Sequence, residues 1–239
     1  MKHLDHTFPT PHQNLACDEV LLDLCEEGKT GELLRFWESE EYFIVLGSSN
    51  KFRQEVHVDA CEADGIQILR RHSGGGTVLQ GPGCLNFSLI LKIDSSGPTR
   101  NITETTKYIM HRHAEMFSSL LAKKVEMKGS SDLTIDGKKF SGNAQRRRMK
   151  ALLFHGTFLL EFDLKRIEKY LQLSPKQPEY REQRSHLDFV RNIAASRDQI
   201  KLQLRSAWDA ATLFEHVPNE QIDELVKTKY SSDKWIYKC

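Results

Sequence analysis

Arg70-Arg71-His72-Ser73-Gly74-Gly75-Gly76-Thr77 is the stretch from which this chain is best read. Three consecutive glycines are costly in backbone entropy and make poor strand or helix. Their physical use is to let backbone N–H groups approach a ligand where a Cβ would clash. The two arginines ahead of them bring fixed charge in a fork suited to carboxylate or phosphate. Residues 66–71 (IQILRR) read as a strand, so the loop leaves a strand end, as an oxyanion or phosphate cradle does. Neither the GK[ST] of a P-loop nor the GxGxxG of a dinucleotide fold is present, which weakens both classes. A flexible turn flanked by surface arginines is the competing interpretation.

Outward from the loop, Asn14 to Glu27 places Leu15, Val20, Leu21, Leu22 and Leu24 largely on one side of a helix, with Asn14 as its expected N-cap. Strands are expected at Leu33–Trp37 and Tyr42–Leu46, the second closed by Gly47. Residues 85–93 (LNFSLILKI) are too apolar for an edge facing water and read as a core strand. A long helix fits 102–121, where Ile109, Met116, Phe117, Leu120 and Leu121 recur at three- and four-residue spacing. Leu152–Leu160 is another strand, and Asp163 is expected to cap a helix reaching about Leu171. The run Ser174-Pro175-Lys176-Gln177-Pro178 breaks the pattern. Two amphipathic helices, near 197–214 and 218–228, follow. No repeat or low-complexity tract occurs. Strands and helices without regular βαβ alternation point to α/β of the α+β type, with a mixed sheet flanked by helices.

A second informative segment is 132–145 (DLTIDGKKFSGNAQ). Asp136-Gly137 between strand-like runs predicts a hairpin, because that two-residue turn needs positive φ. Phe140 is followed by what reads as a further small-residue turn. A carboxylate such as Asp132, beside a triphosphate, can hold Mg²⁺, which takes one or two carboxylates plus phosphate oxygens. A lysine set on a strand can neutralise charge growing on an α-phosphate. A merely solvated lysine-rich hairpin is the alternative.

Composition narrows the classes. The 34 Lys and Arg nearly balance 33 Asp and Glu, so there is no global pull toward nucleic acid or membrane, and neither is expected as a partner. Five cysteines (Cys17, Cys25, Cys61, Cys84, Cys239) without a CxxC pair argue against a disulfide framework or zinc site. With no apolar leader at the N-terminus, a cytoplasmic protein is expected.

The order RRxSGGGTVxxGxGxLNFS, DLTIDGKKFSGNAQ, HGTFLL resembles the lipoate–protein ligase A and octanoyltransferase family, over roughly Asn14 to Val190. The resemblance implies a class II biotin/lipoate-ligase-like catalytic domain. It implies that Arg71 and Ser73, Gly74, Gly75, Gly76 and Thr77 surround the acyl carboxylate and adenylate phosphate, with Val78, Gln80 and Asn86 lining the pocket beyond. Lys139 matches the family lysine at the acyl group, the catalytic residue. Ser141, Gly142 and Ala144 belong to the same motif and are expected at the substrate or ATP. Asp132 matches an Asp associated with Mg²⁺ and ATP, His155 a histidine near the pocket, and Asp18-Glu19 an acidic pair on the first helix. His155 reads equally as a core histidine, and Asp18-Glu19 as the solvent side of a helix. Arg146-Arg147-Arg148 reads as a surface coat or a docking patch.

The family forks on a cysteine nucleophile. Transferases of one branch carry it shortly before the equivalent of Asp132; here 125–131 (VEMKGSS) has none. The other branch places it after the lysine turn, where residues 140–200 also have none. Cys84 stands where many ligases have Asn. The expected activity is therefore ATP-dependent ligation, with lipoate or octanoate activated as acyl-AMP and passed to a lysine. The expected recipient is a lipoyl-carrier domain of the 2-oxoacid dehydrogenase E2 or glycine cleavage H-protein type. ATP-independent transfer between carriers and a non-catalytic binding subunit are the alternatives; biotin ligation lacks its arginine–glycine pattern. Residues 1–239 are expected to form one catalytic domain, with 191–239 a helical extension packed on it and no full accessory domain. Either the chain works without that domain or a second polypeptide supplies it.

Overall fold

The computed structural model describes residues 1–174 and 176–238; Pro175, inside the expected break, and Cys239, among the cysteines counted above, lie outside the described residues. Among the described residues eleven strands form: β1 Lys2–Asp5, β2 Leu33–Trp37, β3 Phe43–Leu46, β4 Gln67–Arg70, β5 Val78–Gln80, β6 Cys84–Lys92, β7 Glu126–Lys128, β8 Asp132–Ile135, β9 Lys138–Arg147, β10 Ala151–Leu159 and β11 Thr212–Leu213. Eight make one sheet in the order β11-β1-β2-β6-β10-β9-β8-β7, antiparallel except where β1 meets β2 and β11. The other three form a small sheet, β4-β3-β5.

Alternation along β6 and β10 divides the large sheet into two faces. Leu85, Phe87, Leu89 and Leu91 with Leu152, Phe154 and Phe158 pack under the helices Ile102–Leu121 and Arg197–Ala207. Phe87 stacks on Phe158 at 4.9 Å, and Phe117 from the long helix meets the same ring at 4.7 Å. Each such ring contributes about 1.5–3 kcal/mol by leaving water. The opposite face carries Ile90 and Leu153 against the helix Pro11–Glu26 and, beyond it, Ile222, Tyr230 and Ile236. On that same face the pattern turns polar: Ser88 pairs with His155 and Asn86 with Thr157. A sheet face that is apolar over one half and polar over the other forms a core and a floor at once.

Most elements stand within a residue or so of expectation, and four departures have physical causes. The first helix is capped by Thr10 with Pro11 in its first turn; Asn14 lies inside it and bonds Phe8 N at 3.0 Å and Phe8 O at 3.0 Å, pinning the entering chain. Asp163 accepts from Lys165 N at 3.2 Å, but the cap position is Leu164. The helix expected over 197–214 ends at Ala207, because Asp209 turns to φ 48° and Thr212–Leu213 joins β1 as an edge strand. Ser141-Gly142-Asn143 is not a turn: β9 runs straight through it to Arg147. Among the described residues no helix is long and apolar enough to cross a membrane.

Candidate active site

A cavity of about 450 Å³ opens over the polar floor. Gly75, Gly76 and Thr77 reach it from the glycine loop, Val78 and Gln80 from β5, and Asn86 from β6. Asp132, Lys139, Gly142, Ala144 and His155 reach it from β8, β9 and β10. Apolar lining comes from Leu15, Trp37, Val45 and Phe87. Ser73, Gly74, Ser141 and Cys84 do not line it.

The floor is one hydrogen-bonded set. Gln80 Nε2 donates to Thr157 Oγ1 at 2.7 Å, and Thr157 Oγ1 donates to Asn86 Oδ1 at 2.5 Å. Beside it, Ser73 Oγ meets His155 Nε2 at 2.6 Å, and His155 Nδ1 faces Asp18 Oδ2 at 3.7 Å. Arg71 Nε donates to Ser73 Oγ at 3.1 Å, and the acceptor-only Asp18 carboxylate facing Nδ1 favours the imidazole tautomer protonated there, which leaves Nε2 to accept from Ser73. Asp18 is buried, accepting from Arg35 Nη1 at 2.6 Å and Ser88 Oγ at 2.7 Å. Burial raises its carboxyl, but Arg35, His155 and Ser88 together outweigh that and hold it down at about 2.

The two arginines before the glycines differ in placement: Arg70 is buried away from the cavity and Arg71 lines it. Arg70 is fully buried and donates to Gly47 O at 2.7 Å, Asn50 O at 2.9 Å and Ile236 O at 2.8 Å. It ties the C-terminal segment to the turn that underlies the loop. Arg71 lines the cavity, yet its Nη2 donates to Gly74 O at 2.7 Å and Gly76 O at 2.8 Å, bracing the loop from inside. Burial pushes it down to about 10, still cationic at neutral pH. Gly75 sits at φ +89°, the one loop glycine whose backbone needs the left-handed region.

Lys139 reaches the cavity through a bulge. Ser141 pairs with Leu133 and Lys139 with Thr134, so Phe140 has no partner opposite it on β8. The extra residue reverses the alternation. Phe140 turns into the core, 5.2 Å from the Phe117 ring, and Lys139 turns to the cavity beside Asp132. Lys139 Nζ lies 2.8 Å from Asp132 Oδ1, and Tyr180 Oη donates to Asp132 Oδ2 at 2.7 Å. Burial first, then the Asp132 charge, push the Tyr180 phenol up, so it remains a donor at neutral pH.

Asp18 and Glu19 are not the solvent side of the helix. Glu19 is buried and takes Lys229 Nζ at 2.6 Å and Tyr230 Oη at 2.8 Å, latching the C-terminal segment to the first helix. Of the arginine run, Arg147 bonds Thr99 O at 2.8 Å and Arg148 pairs with Asp23 at 2.8 Å; Arg146 is exposed. Sequence reasoning missed the far wall, where Arg181, His186 and Phe189 line the cavity. The available signal was a knot of Tyr180, Arg181, Arg184 and His186 just after the break. Glu55, bonded to Thr77 N at 3.2 Å, was missed too. A separate, open depression of about 540 Å³ around His57 and Lys169 shares Gln172 but none of the loop residues. Among the described residues no three His, Cys, Asp or Glu are grouped to hold a metal ion.

A mixed sheet flanked by helices carries a braced glycine loop and a bulge-aimed lysine over one cavity. The chain belongs to the lipoyl protein ligase A/B catalytic domain family, whose model matches residues 10–205. A probable lipoate-protein ligase A of Mycoplasma pneumoniae is 32% identical over 68% of this chain, which spans 46% of that relative's length. The octanoyltransferase LipM of Brevibacillus brevis is 27% identical over 95% of this chain and 94% of its own. Among solved structures, a bi-partite lipoate protein ligase of Thermoplasma acidophilum, studied with its E2 lipoyl domain, superposes with TM-score 0.82 at 22% identity, covering 99% of this chain and 95% of that one. A lipoate-protein ligase A bound with ATP gives 0.81 at 22%, covering 99% and 98%. The class II lipoate-ligase-like fold expected from the motifs is the fold observed.

Proposed function

We propose that the protein is an ATP-dependent lipoate–protein ligase. The observation carrying this reading is that the glycine loop and Lys139 share a cavity that none of the described cysteines lines. A thioester route needs a thiolate there; Cys84 is buried, and burial pushes its thiol far up. Ligation needs no protein nucleophile. The acid's carboxylate oxygen attacks the α-phosphorus of ATP, and the bond to the bridging oxygen breaks, releasing pyrophosphate. The carrier lysine then attacks the acyl carbon, loses a proton, and AMP departs. Gly75 and Gly76 would present backbone N–H groups to the headgroup, and Lys139 would stabilise charge on the acyl and phosphoryl oxygens. Leu15, Trp37 and Val45 would bury the chain at ~0.8 kcal/mol per methylene, which favours medium-chain acids such as lipoate and octanoate.

Asp132 is a carboxylate lining the cavity, and each of its oxygens keeps a lone pair beside the Lys139 and Tyr180 contacts. One carboxylate completed by nucleotide phosphate oxygens is a ligand set that fits Mg²⁺. Asp132 would hold the ion, which would supply charge neutralisation on the phosphates. The E2 lipoyl domain paired with the Thermoplasma ligase supports a lipoyl-carrier domain as recipient. The latches at Glu19 and Arg70 support reading 191–239 as an extension of one catalytic domain.

The second reading, ATP-independent transfer between carriers, is favoured by the near full-length match to the Brevibacillus octanoyltransferase. Exchange of labelled pyrophosphate into ATP, dependent on lipoate or octanoate, separates the two. Exchange is expected; no exchange, with acyl transfer from a loaded carrier, would establish the transferase. Lys139→Ala should lower either activity by at least ~100-fold with little change in Tm, because the lysine is part-exposed and packs no core. Full turnover in that variant would end the assignment.

A further inference from the structure

Residues 180–191 grip the β8–β9 hairpin at four points. Arg184 Nη1 donates to Gly137 O at 3.2 Å and Arg191 Nη1 to Asp136 Oδ2 at 3.2 Å, both at the turn. Arg191 N donates to Lys139 O at 2.8 Å. The fourth contact is Tyr180 Oη on Asp132 Oδ2. The tyrosine ring itself is held: it lies 5.2 Å from the Phe189 ring and against the backbone of Gly129, where a Cβ would stand 3.2 Å from it. The same segment contributes Arg181 and His186 to the cavity wall.

Resting on the acyl-transfer reading above, we propose that Tyr180 is a positioning residue for Lys139, acting through Asp132. The carboxylate has two oxygens and two partners. With Oδ2 occupied by the phenol, Asp132 offers Lys139 one oxygen only. The ammonium has three N–H donors, and Asp132 is its one ion-pair partner among the described residues. Two donors therefore remain for an acyl or phosphoryl oxygen in the cavity. Without the phenol, the carboxylate is free to rotate and take Nζ with both oxygens, drawing the charge back from the reacting carbonyl. The far wall and the reacting group are thus joined by one side-chain chain, Tyr180–Asp132–Lys139.

The test is a double-mutant cycle on the full-length chain, run in whichever reaction the wild type catalyses, pyrophosphate exchange or carrier-to-carrier transfer. Tyr180→Phe keeps the ring contact with Phe189 and removes only the hydroxyl. It is expected to lower kcat on the order of tenfold, the size of one hydrogen bond to a charged group, with KM for the acid within about threefold. On an Asp132→Asn background the same change should cost less than about twofold, because the route through the carboxylate is already cut. An unchanged kcat in Tyr180→Phe, or a further tenfold loss in the double variant, overturns the proposal. A loss confined to Tm or to KM also overturns it, since that is a packing or binding role. A wild type active only in carrier-to-carrier transfer sinks the ligase reading and leaves this test intact. A wild type with neither activity overturns both.

Discussion

Ser73 Oγ and His155 Nε2 meet at 2.6 Å across 82 residues of chain, joining the glycine loop to the floor of the cavity. On its other side His155 Nδ1 faces Asp18 Oδ2 at 3.7 Å, so a buried carboxylate on the first helix stands behind the imidazole that meets the loop. Replacing His155 by Ala leaves Ser73 without its acceptor. KM for the acyl acid should rise by about tenfold, while Gln, which retains an acceptor, should stay within about threefold. Steady-state kinetics on the two variants decide it; an unchanged KM in the Ala variant would show that the loop needs no such support.

The loop glycines should separate fold from function. Gly75→Ala places a methyl group 2.9 Å from Arg71 Nη2 at φ +89°, and should destabilise the protein by roughly 1–3 kcal/mol. At Gly76 a Cβ would meet nothing within 4 Å, so Gly76→Ala should leave stability within ~0.5 kcal/mol. If a ligand headgroup lies against that backbone, the same change should still cut kcat/KM about tenfold or more. Denaturant unfolding beside kinetics tests both halves.

The buried Asp18–Arg35 pair should appear in acid unfolding. Asp18 titrates at about 2 in the folded protein, below the ordinary value of 3.8. A depressed carboxyl stabilises the fold above its unfolded pKa, and that contribution disappears as pH falls through the folded one. Stability should therefore fall between pH about 4 and about 2, and more gently in Asp18→Asn. Arg35→Met leaves a buried carboxylate unpaired and should cost about 3–5 kcal/mol at neutral pH. An Arg35→Met protein as stable as wild type would refute the pairing argument.

Cys84 should be chemically quiet. Cys84→Ala is expected to keep kcat within about twofold and lose about 1 kcal/mol of stability, the worth of a small buried thiol. Mass-mapped alkylation of the native protein should leave Cys17, Cys25, Cys61 and Cys84 unlabelled on the timescale of free thiols, since all four are buried. Rapid labelling at Cys84, or loss of turnover in the alanine variant, would revive a thioester mechanism.

Several elements were legible because their causes are local. The helix Ile102–Leu121 has its whole apolar stripe and its cap, Asn101, in contiguous sequence, and β2 and the Asp136-Gly137 hairpin are equally self-contained. The caps expected at Asn14 and Asp163 fall within a few residues of the observed ones, but other misread positions answer to something distant. Ser141-Gly142-Asn143 looks like a turn because small residues favour turns, but β10 and β8 pair with it on both sides and outweigh that preference. The Tyr180–Phe189 wall carries no periodicity, and its meaning lies in contacts with a hairpin some fifty residues earlier, such as Tyr180 on Asp132 (separation 48).

The residues alone determined the glycine loop, the apolar core strands β6 and β10 and the family motifs, because backbone entropy and local apolar runs act within a few residues. Where the charges point was decided in three dimensions. Arg70 bonds carbonyls of the chain and stays out of the cavity, while Arg71 lines it and also braces the loop; Lys139 faces the cavity because Phe140 is forced into the core at a bulge. A cation takes whichever acceptors the completed fold brings near it, and a one-residue shift in strand pairing reverses the face of the side chains beyond it.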